Sequence, residues 1–131
     1  MIYLKPLNQE NAMSQKILIC DDEEGIRESL KLILEDFYPL IVVTDGTQCL
    51  ECLGNAKDIG MVLLDIKMPQ INGLDVLKKI KEKHPKVQVI IITGYKSVET
   101  AAEAVRLGAS GYIVKPFKAE EILATVRRGI K

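Results

Sequence analysis

The stretch VLLDIKMPQING, from Val62 to Gly73, joins an apolar run to an acidic residue and then to a loop. Its apolar start is typical of a buried strand, and Asp65 follows directly. Pro69 and Gly73 indicate a loop before the next element. A strand that carries a carboxylate to its own end, where a loop begins, predicts that Asp65 lies at the mouth of a site.

Apolar runs of this kind alternate with segments of helical periodicity five times along the chain. We predict strands over residues 16–20, 40–44, 59–64, 87–92 and 111–114. The segments after them carry apolar residues at helical spacing, including Ile26, Leu30, Ile33, Leu34 and Phe37 in the first and Val98, Ala101, Ala102 and Val105 in the fourth. The pattern is (βα)5.

The predicted strands are apolar throughout rather than alternating, which is typical of parallel strands that are covered on both faces. Right-handed crossovers place the helices on both sides of such a sheet. We therefore predict an α/β protein with a doubly wound, five-stranded parallel sheet. Its strand order is expected to be 2-1-3-4-5, the flavodoxin-like arrangement.

Length and composition fit one domain. The chain has 131 residues, of which 47% are hydrophobic and 27% charged, as in ordinary globular proteins. We expect residues 16–131 to form the domain. Residues 1–15 are expected to be a leader that is flexible or, up to residue 12, an addition ahead of a natural start at Met13.

Charge and hydropathy exclude several classes of partner. Lys+Arg and Asp+Glu both number 18, so no overall field attracts nucleic acid or an anionic membrane. The lysines between residues 78 and 86 are interpreted as a solvated face. The longest apolar runs are far shorter than the roughly 20 residues of a membrane span, and the start has no secretory signal pattern.

The three cysteines, Cys20, Cys49 and Cys52, do not form the dense framework of a secreted protein. Their odd number indicates a reducing, cytoplasmic compartment. Cys49 and Cys52 have the spacing of half a zinc site, but a structural zinc site needs four ligands and His84 is the only histidine. We interpret them as small residues on a helix.

Polar residues follow four of the five predicted strands. They are Asp21 and Asp22 after the first, Asp65 after the third, Thr93 after the fourth, and Lys115 with Pro116 after the fifth. In a parallel sheet these positions lie at the carboxyl edge, where ligands bind in the crevice between the first and third strands.

Clustered carboxylates raise one another's pKa unless a cation lies between them. Mg2+ (or Mn2+) prefers oxygen ligands and keeps several waters. We predict that Asp22 and Asp65 bind the ion directly, with the backbone carbonyl of Lys67 as a third ligand and Asp21 acting through water. The alternative is that Asp21 and Asp22 only cap the first helix, although the acidic run that continues through Glu23 exceeds what a cap requires.

The ion and the Lys115 ammonium would make this acidic pocket attractive to a phosphoryl group. Asp65 could then act as a nucleophile, because carboxylates form acyl phosphates. The two cationic groups would stabilise charge on the transferring oxygens. Thr93 offers a hydroxyl donor to the same group.

Three stretches, ILICDDEEGIRESL, VLLDIKMPQINGLDVL and VIIITGYKSVETAAEAVRLGASGYIVKPF, together resemble the receiver domain of bacterial two-component response regulators over residues 16–130. The resemblance implies a phosphorylation-activated signalling switch. A sensor histidine kinase would donate a phosphoryl group to Asp65, while Asp21 and Asp22 organise Mg2+. The domain would catalyse this transfer itself and would not be an enzyme in the usual sense.

The resemblance also implies roles for other residues. Thr93 is expected to move toward the phosphoryl group, and Tyr112 to turn inward behind it. Lys115 is expected to bridge the site, and its peptide bond to Pro116 to be cis; cis bonds are almost confined to X-Pro.

Slow autodephosphorylation is expected, because water can reach an acyl phosphate. Lys67 and Tyr95 would flank the approach of this water. An aspartate-nucleophile phosphatase is the rival enzyme class, but its D-x-D pattern has an acid where this chain has Lys67, which cannot act as that acid/base. An FMN-binding protein is disfavoured because DDEEG would repel an anion. A receiver that has lost phosphorylation and serves only for docking is a third alternative.

The signal would pass through the surface of the fourth helix, fifth strand and fifth helix, the α4-β5-α5 surface of such domains. The partner would be a transcription-regulating output domain, C-terminal to this chain, or a separate protein. A homodimer on phosphorylation is a further expectation. No direct binding of nucleic acid or membrane by this domain is expected.

Overall fold

The computed structural model describes residues 2–4 and 15–130, and within them six strands and five helices follow one another. The strands are β1 (Ile2–Leu4), β2 (Lys16–Cys20), β3 (Leu40–Val43), β4 (Ile59–Leu64), β5 (Gln88–Thr93) and β6 (Gly111–Val114). The helices are α1 (Glu24–Leu34), α2 (Gly46–Asn55), α3 (Gly73–Lys83), α4 (Val98–Arg106) and α5 (Ala119–Gly129). The five predicted strands are all present, each within one residue of its predicted bounds.

The strands form one sheet in the order β1-β3-β2-β4-β5-β6. Every pair from β3 to β6 is parallel. Without β1, this is the order 2-1-3-4-5, so the predicted doubly wound arrangement is confirmed. The strand switch lies between β2 and β4, whose carboxyl ends carry Asp21 and Asp65.

The strand β1 was not predicted. It pairs antiparallel with β3, with Ile2 opposite Val42 and Leu4 opposite Leu40. The expectation of a flexible leader therefore does not hold for these three residues, whereas residues 5–14, including Met13, lie outside the described residues. The physical reason is that the edge of β3 offers unpaired N–H and C=O groups to any extended segment. Three residues are too few to show a period in the sequence.

Helices cover both faces of the sheet, as predicted. On one face α2, α3 and α4 bury Cys49, Leu77 and Ala104 against the strands. On the other face α1 and α5 bury Leu30 and Ile122. All six residues of β4 are buried. The strands read as continuous apolar runs because both of their faces contact helices.

The apolar residues at helical spacing are not all buried in the structure. The periodic residues of the fourth helix do form α4, but Val98 is 88% exposed and Val105 is 64% exposed. Phe37 lies beyond the end of α1 and is half exposed. Helical spacing identifies a helix, but the face that becomes buried depends on what packs against it.

Candidate functional site

The carboxyl edge of the sheet brings the predicted polar residues together. Asp21 follows β2, Asp65 follows β4, Thr93 ends β5 and Lys115 follows β6. An open depression at this edge is lined by Asp22, Glu23, Asp65, Lys67, Thr93, Gly94, Tyr95 and Lys115. The residues that the sequence placed at four separate strand ends therefore share one site.

Four acidic side chains converge in this depression. One carboxylate oxygen from each of Asp21, Asp22, Glu23 and Asp65 lies within 4.8 Å of the others. Asp21 and Asp65 are buried, whereas Asp22 and Glu23 are exposed. A set of hard oxygen donors with an open side fits Mg2+, which binds few protein oxygens and retains water. The donor chemistry therefore suits the predicted ion.

Asp65 is held in place by hydrogen bonds of both its backbone and its side chain. Its amide N donates to the carbonyl oxygen of Cys20 at 3.1 Å, and its Oδ1 accepts from the amide N of Ile66 at 2.8 Å. Gly73, the first residue of α3, donates its N–H to the Ile66 carbonyl at 2.8 Å. A Cβ at Gly73 would overlap the Asp65 carbonyl oxygen. The glycine thus lets α3 begin directly against the backbone that carries Asp65.

Asp21 is buried in a polar setting. Its Oδ1 accepts from the amide N of Glu23 at 2.9 Å, and its carbonyl oxygen accepts from Arg27 at 2.9 Å. Burial raises the pKa of Asp21 to about 6, although the Glu23 N–H and the Lys115 ammonium act in the opposite direction. Within residues 15–130, no side chain caps α1, whose N-cap residue is Glu23. The capping alternative for the two aspartates is therefore not supported.

Lys115 joins the acidic residues across the site. Its Nζ lies 2.9 Å from Asp21 Oδ2, 3.0 Å from Glu23 Oε1 and 3.4 Å from Asp65 Oδ2. Burial lowers the pKa of Lys115, but the bonds to Asp21 and Glu23 outweigh this effect and leave it above its ordinary value. The peptide bond to Pro116 is cis, which is the isomer that the resemblance implied.

A second group of side chains forms the rim of the depression. The Thr93 hydroxyl oxygen accepts from the amide N of Tyr95 at 3.3 Å. The Lys67 ammonium lies 4.4 Å from the centre of the Tyr95 ring, within the range of a cation–π contact. The Tyr112 hydroxyl donates to the Tyr95 carbonyl oxygen at 2.7 Å. Tyr95 therefore connects Thr93, Lys67 and Tyr112.

The contact that Glu23 makes could not be predicted from the sequence. In the sequence, Glu23 stands out only as part of an acidic run longer than a helix cap requires. In the structure its carboxylate forms an ion pair with Lys115, which is 92 positions away in the chain. The position of Glu23, one residue after an acidic pair, is the only sequence signal that could have pointed to it.

The rival chemistries find no support at this edge. A phosphatase acid two residues after Asp65 is replaced by Lys67, whose ammonium lies over Tyr95. The loop after β2 carries carboxylates where the phosphate of FMN would need hydroxyl or amide donors, so it would repel that phosphate. Cys49 and Cys52 both lie in α2 and are buried with Cys20 in the core, so they pack as small apolar residues.

Comparisons with known proteins point to one family. The family model of the response regulator receiver domain matches residues 17–127 of the sequence. An NtrX-like response regulator of Rickettsia bellii is 40% identical over 116 residues, which are 86% of this chain and 24% of that protein. The transcriptional regulatory protein FixJ of Azorhizobium caulinodans is 35% identical over 119 residues, which are 89% of this chain and 56% of that protein.

Solved structures agree with these matches. A CheY-like response regulator receiver domain protein from Methanospirillum hungatei has a TM-score of 0.83 and 31% identity, covering 88% of this chain and 92% of that chain. The chain spans about a quarter of the length of the NtrX-like relatives and about half that of FixJ. Within residues 2–4 and 15–130, the helices are too short or too polar to cross a membrane.

Proposed function

The chain belongs to the response regulator receiver domain family, and on that premise we propose that it is a signalling switch activated by phosphorylation of Asp65. The observation that carries the proposal is the position of this carboxylate. It is buried at the end of β4, within 4.8 Å of three further acidic groups, and its Oδ2 lies 3.4 Å from the Lys115 ammonium. This convergence of carboxylates and an ammonium supports the proposal that a nucleophile, metal donors and a cation act together here.

Mg2+ (or Mn2+) is the proposed cofactor. Asp22 and Asp65 would bind it directly, together with the backbone carbonyl of Lys67, and Asp21 would act through water. When bound, the ion supplies charge that stabilises the transferring phosphoryl oxygens. The raised pKa of Asp21 supports this assignment, because a buried carboxylate with acidic neighbours gains most from a nearby cation.

The proposed reaction is a transfer between two side chains. A carboxylate oxygen of Asp65 attacks the phosphorus of a phosphohistidine on a sensor histidine kinase. The P–N bond breaks and its electron pair stays on the imidazole nitrogen, which leaves as neutral imidazole because the other ring nitrogen of the phosphohistidine already carries a proton. An acyl phosphate forms on Asp65. Lys115 would contact a phosphoryl oxygen, and Thr93, at the end of the adjacent β5, would donate its hydroxyl to another.

Phosphorylation would change the surface through Tyr95 and Tyr112. A phosphoryl group that attracts the Thr93 hydroxyl competes with the bond from the Tyr95 amide N to Thr93. The loop that begins there leads directly into α4, where Val98 and Val105 are exposed. We propose that α4, β6 and α5 form the surface that reports phosphorylation, since added negative charge can bias a two-state element.

The proposed partners follow from the relatives. FixJ is named as a transcriptional regulatory protein and is about twice the length of the match. We therefore infer that the switch acts on a transcription-regulating output domain or partner, with a homodimer of phosphorylated chains as one form of output. The equal numbers of acidic and basic residues support the absence of direct nucleic-acid or membrane binding.

Lys67 and Tyr95 are proposed to control how long the acyl phosphate survives. Their side chains stack at the rim of the depression. Water that hydrolyses the acyl phosphate has to pass this rim, so the pair would slow autodephosphorylation.

The test is phosphorylation by a small donor. Wild type, Asp65→Asn and the control Asp75→Asn are incubated with acetyl phosphate and MgCl2, and intact-mass spectrometry measures the phosphorylated fraction. Asp75 is an exposed acid at the start of α3 and should be neutral to the change. We expect labelling of wild type and Asp75→Asn, its loss in Asp65→Asn, and its loss on chelation of Mg2+. Equal labelling of wild type and Asp65→Asn would overturn the proposal.

A further inference from the structure

The Lys115 ammonium contacts three carboxylates within the described residues. The distances from Nζ are 2.9 Å to Asp21 Oδ2, 3.0 Å to Glu23 Oε1 and 3.4 Å to Asp65 Oδ2. A lysine ammonium has three N–H donors and no acceptor. All three donors therefore have a carboxylate oxygen near them, and a new acceptor competes with one of these carboxylates for a donor.

The three carboxylates differ in how readily they can be released. The side chains of Asp21 and Asp65 are 3% and 4% exposed, whereas that of Glu23 is 61% exposed. A buried carboxylate that loses its cation is left uncompensated, which costs much more than the loss of a solvated ion pair. Water can solvate Glu23 when the contact breaks. Glu23 is therefore the partner of Lys115 that exchanges most easily.

We propose that Glu23 is a positioning residue for Lys115 and that the exchange of Glu23 for a phosphoryl oxygen limits the rate at which Asp65 is phosphorylated. The proposal rests on the function proposed above. Before transfer, Glu23 holds the Lys115 ammonium next to Asp21 and Asp65, on the side of the site where α1 begins. During transfer, the donor that Glu23 releases contacts the incoming phosphoryl group. Glu23 thus controls how easily a Lys115 N–H becomes available to the phosphoryl group, and it takes no part in the chemical step.

A different role for Glu23 would have a different signature. Its carboxylate oxygen belongs to the cluster within 4.8 Å, so a direct or water-mediated metal contact is the competing assignment. A metal ligand that is removed weakens Mg2+ binding and slows phosphorylation. A competitor for Lys115 that is removed leaves Mg2+ binding close to normal and makes phosphorylation faster. The two assignments therefore predict opposite changes in rate.

The experiment uses three variants of the full chain. Glu23→Gln removes the charge and weakens the contact, and Glu23→Asp keeps the charge but shortens the side chain by one methylene. Glu24→Gln is the matched control, because Glu24 is the adjacent exposed acid and its loss changes the net charge equally. Phosphorylation rates are measured at saturating MgCl2 over a range of acetyl phosphate concentrations, and calorimetry with MgCl2 gives the dissociation constant of the ion.

We expect Glu23→Gln to raise the maximal phosphorylation rate constant about two- to fivefold over Glu24→Gln, as is appropriate for an exposed ion pair. Glu23→Asp should show most of this rise, because the shorter carboxylate reaches Lys115 poorly. The Mg2+ dissociation constants of Glu23→Gln and Glu24→Gln should agree within about twofold. If Glu23→Gln acted only by reducing the repulsion of anionic acetyl phosphate, Glu24→Gln would raise the phosphorylation rate constant equally.

Three outcomes would overturn the role of Glu23. They are a Glu23→Gln rate no higher than that of Glu24→Gln, a Glu23→Asp rate equal to wild type, or a selective weakening of Mg2+ binding in Glu23→Gln. Each of these leaves Asp65 phosphorylation intact in wild type. If wild type itself is not labelled by acetyl phosphate, the function proposed above fails and this inference fails with it.

Discussion

The Tyr112 hydroxyl donates a hydrogen bond of 2.7 Å to the carbonyl oxygen of Tyr95, which ties β6 to the loop between Thr93 and α4. Burial raises the pKa of Tyr112, so the phenol remains a neutral donor at physiological pH. This side-chain bond thus joins the loop that would respond at Thr93 to the strand that carries Tyr112.

Tyr112→Phe should loosen this loop without removing any group from the acidic site. We expect the free energy of unfolding to fall by about 0.5–1.5 kcal/mol, the usual net contribution of a hydrogen bond. Amide hydrogen exchange in residues 94–98 should become faster. The control Tyr38→Phe alters a tyrosine that packs on the opposite face of the sheet. Unchanged exchange in residues 94–98 of Tyr112→Phe would contradict the prediction.

Gly73→Ala should destabilise the protein by about 2–4 kcal/mol, because the added methyl group overlaps the backbone of Asp65 and Ile66 and forces α3 to move. Gly54→Ala is the matched control. Gly54 is an exposed residue of α2 with open space around a new Cβ, so this change should stabilise by about 0.5–1 kcal/mol. Urea unfolding measures both values, and equal effects of the two substitutions would refute the steric argument.

Asp21→Asn should stabilise the protein at neutral pH in the presence of a chelator. The pKa of Asp21 rises from its ordinary 3.8 to about 6 on folding. The carboxyl is neutral in both states at low pH, so no penalty exists there. As the pH rises from about 4 to 6, the unfolded chain ionises first and the free energy of unfolding falls.

The penalty that Asp21→Asn removes is up to about 3 kcal/mol, since one pKa unit corresponds to about 1.4 kcal/mol. Urea unfolding at pH 7 and pH 4 should therefore show a gain at pH 7 that is reduced to about 0.5 kcal/mol or less at pH 4. The control Asp36→Asn changes an exposed acid after α1 and should stay within about 0.5 kcal/mol at both pH values. A gain that does not depend on pH would rule out the ionisation of Asp21 as its cause.

Lys67→Ala and Tyr95→Ala should each shorten the lifetime of the phosphorylated form, because each opens the rim to water. We expect hydrolysis to become about two- to tenfold faster, with the two substitutions coupled by about 0.5–1 kcal/mol, as for an exposed cation–π pair. Decay of the phosphorylated mass after removal of donor measures the rate. Fully additive effects of the two substitutions would show that the stacked pair does not act as a unit.

Val98→Lys and Val105→Lys should abolish association of the phosphorylated chains while leaving phosphorylation by acetyl phosphate unchanged. Both side chains are exposed on α4, so stability should change by less than about 0.5 kcal/mol. Analytical ultracentrifugation with beryllofluoride, a phosphoryl mimic, measures association. Leu32→Lys is the control, because Leu32 is 74% exposed on α1, away from the proposed surface. Equal loss of association in Leu32→Lys would exclude α4 as the specific surface.

The parallel sheet and much of the site could be predicted from local patterns. Continuous apolar runs indicate strands that are covered on both faces, and a residue that directly follows a parallel strand lies at the carboxyl edge of the sheet. The sequence therefore predicts that one edge carries Asp21, Asp65, Thr93 and Lys115, without any knowledge of the distances between them. The local order of polar and apolar residues was sufficient for this.

Tertiary packing alone decided the pairing of Ile2–Leu4 with β3, the exposure of Val98 and Val105, and the ion pair of Glu23 with Lys115. A sequence period describes the geometry of one element and does not say which neighbour covers it. Glu23 and Lys115 are 92 positions apart, so their contact exists only after the sheet brings the ends of β2 and β6 to the same edge. Local propensities describe neighbouring residues only, so they cannot predict a contact between residues this far apart in the sequence.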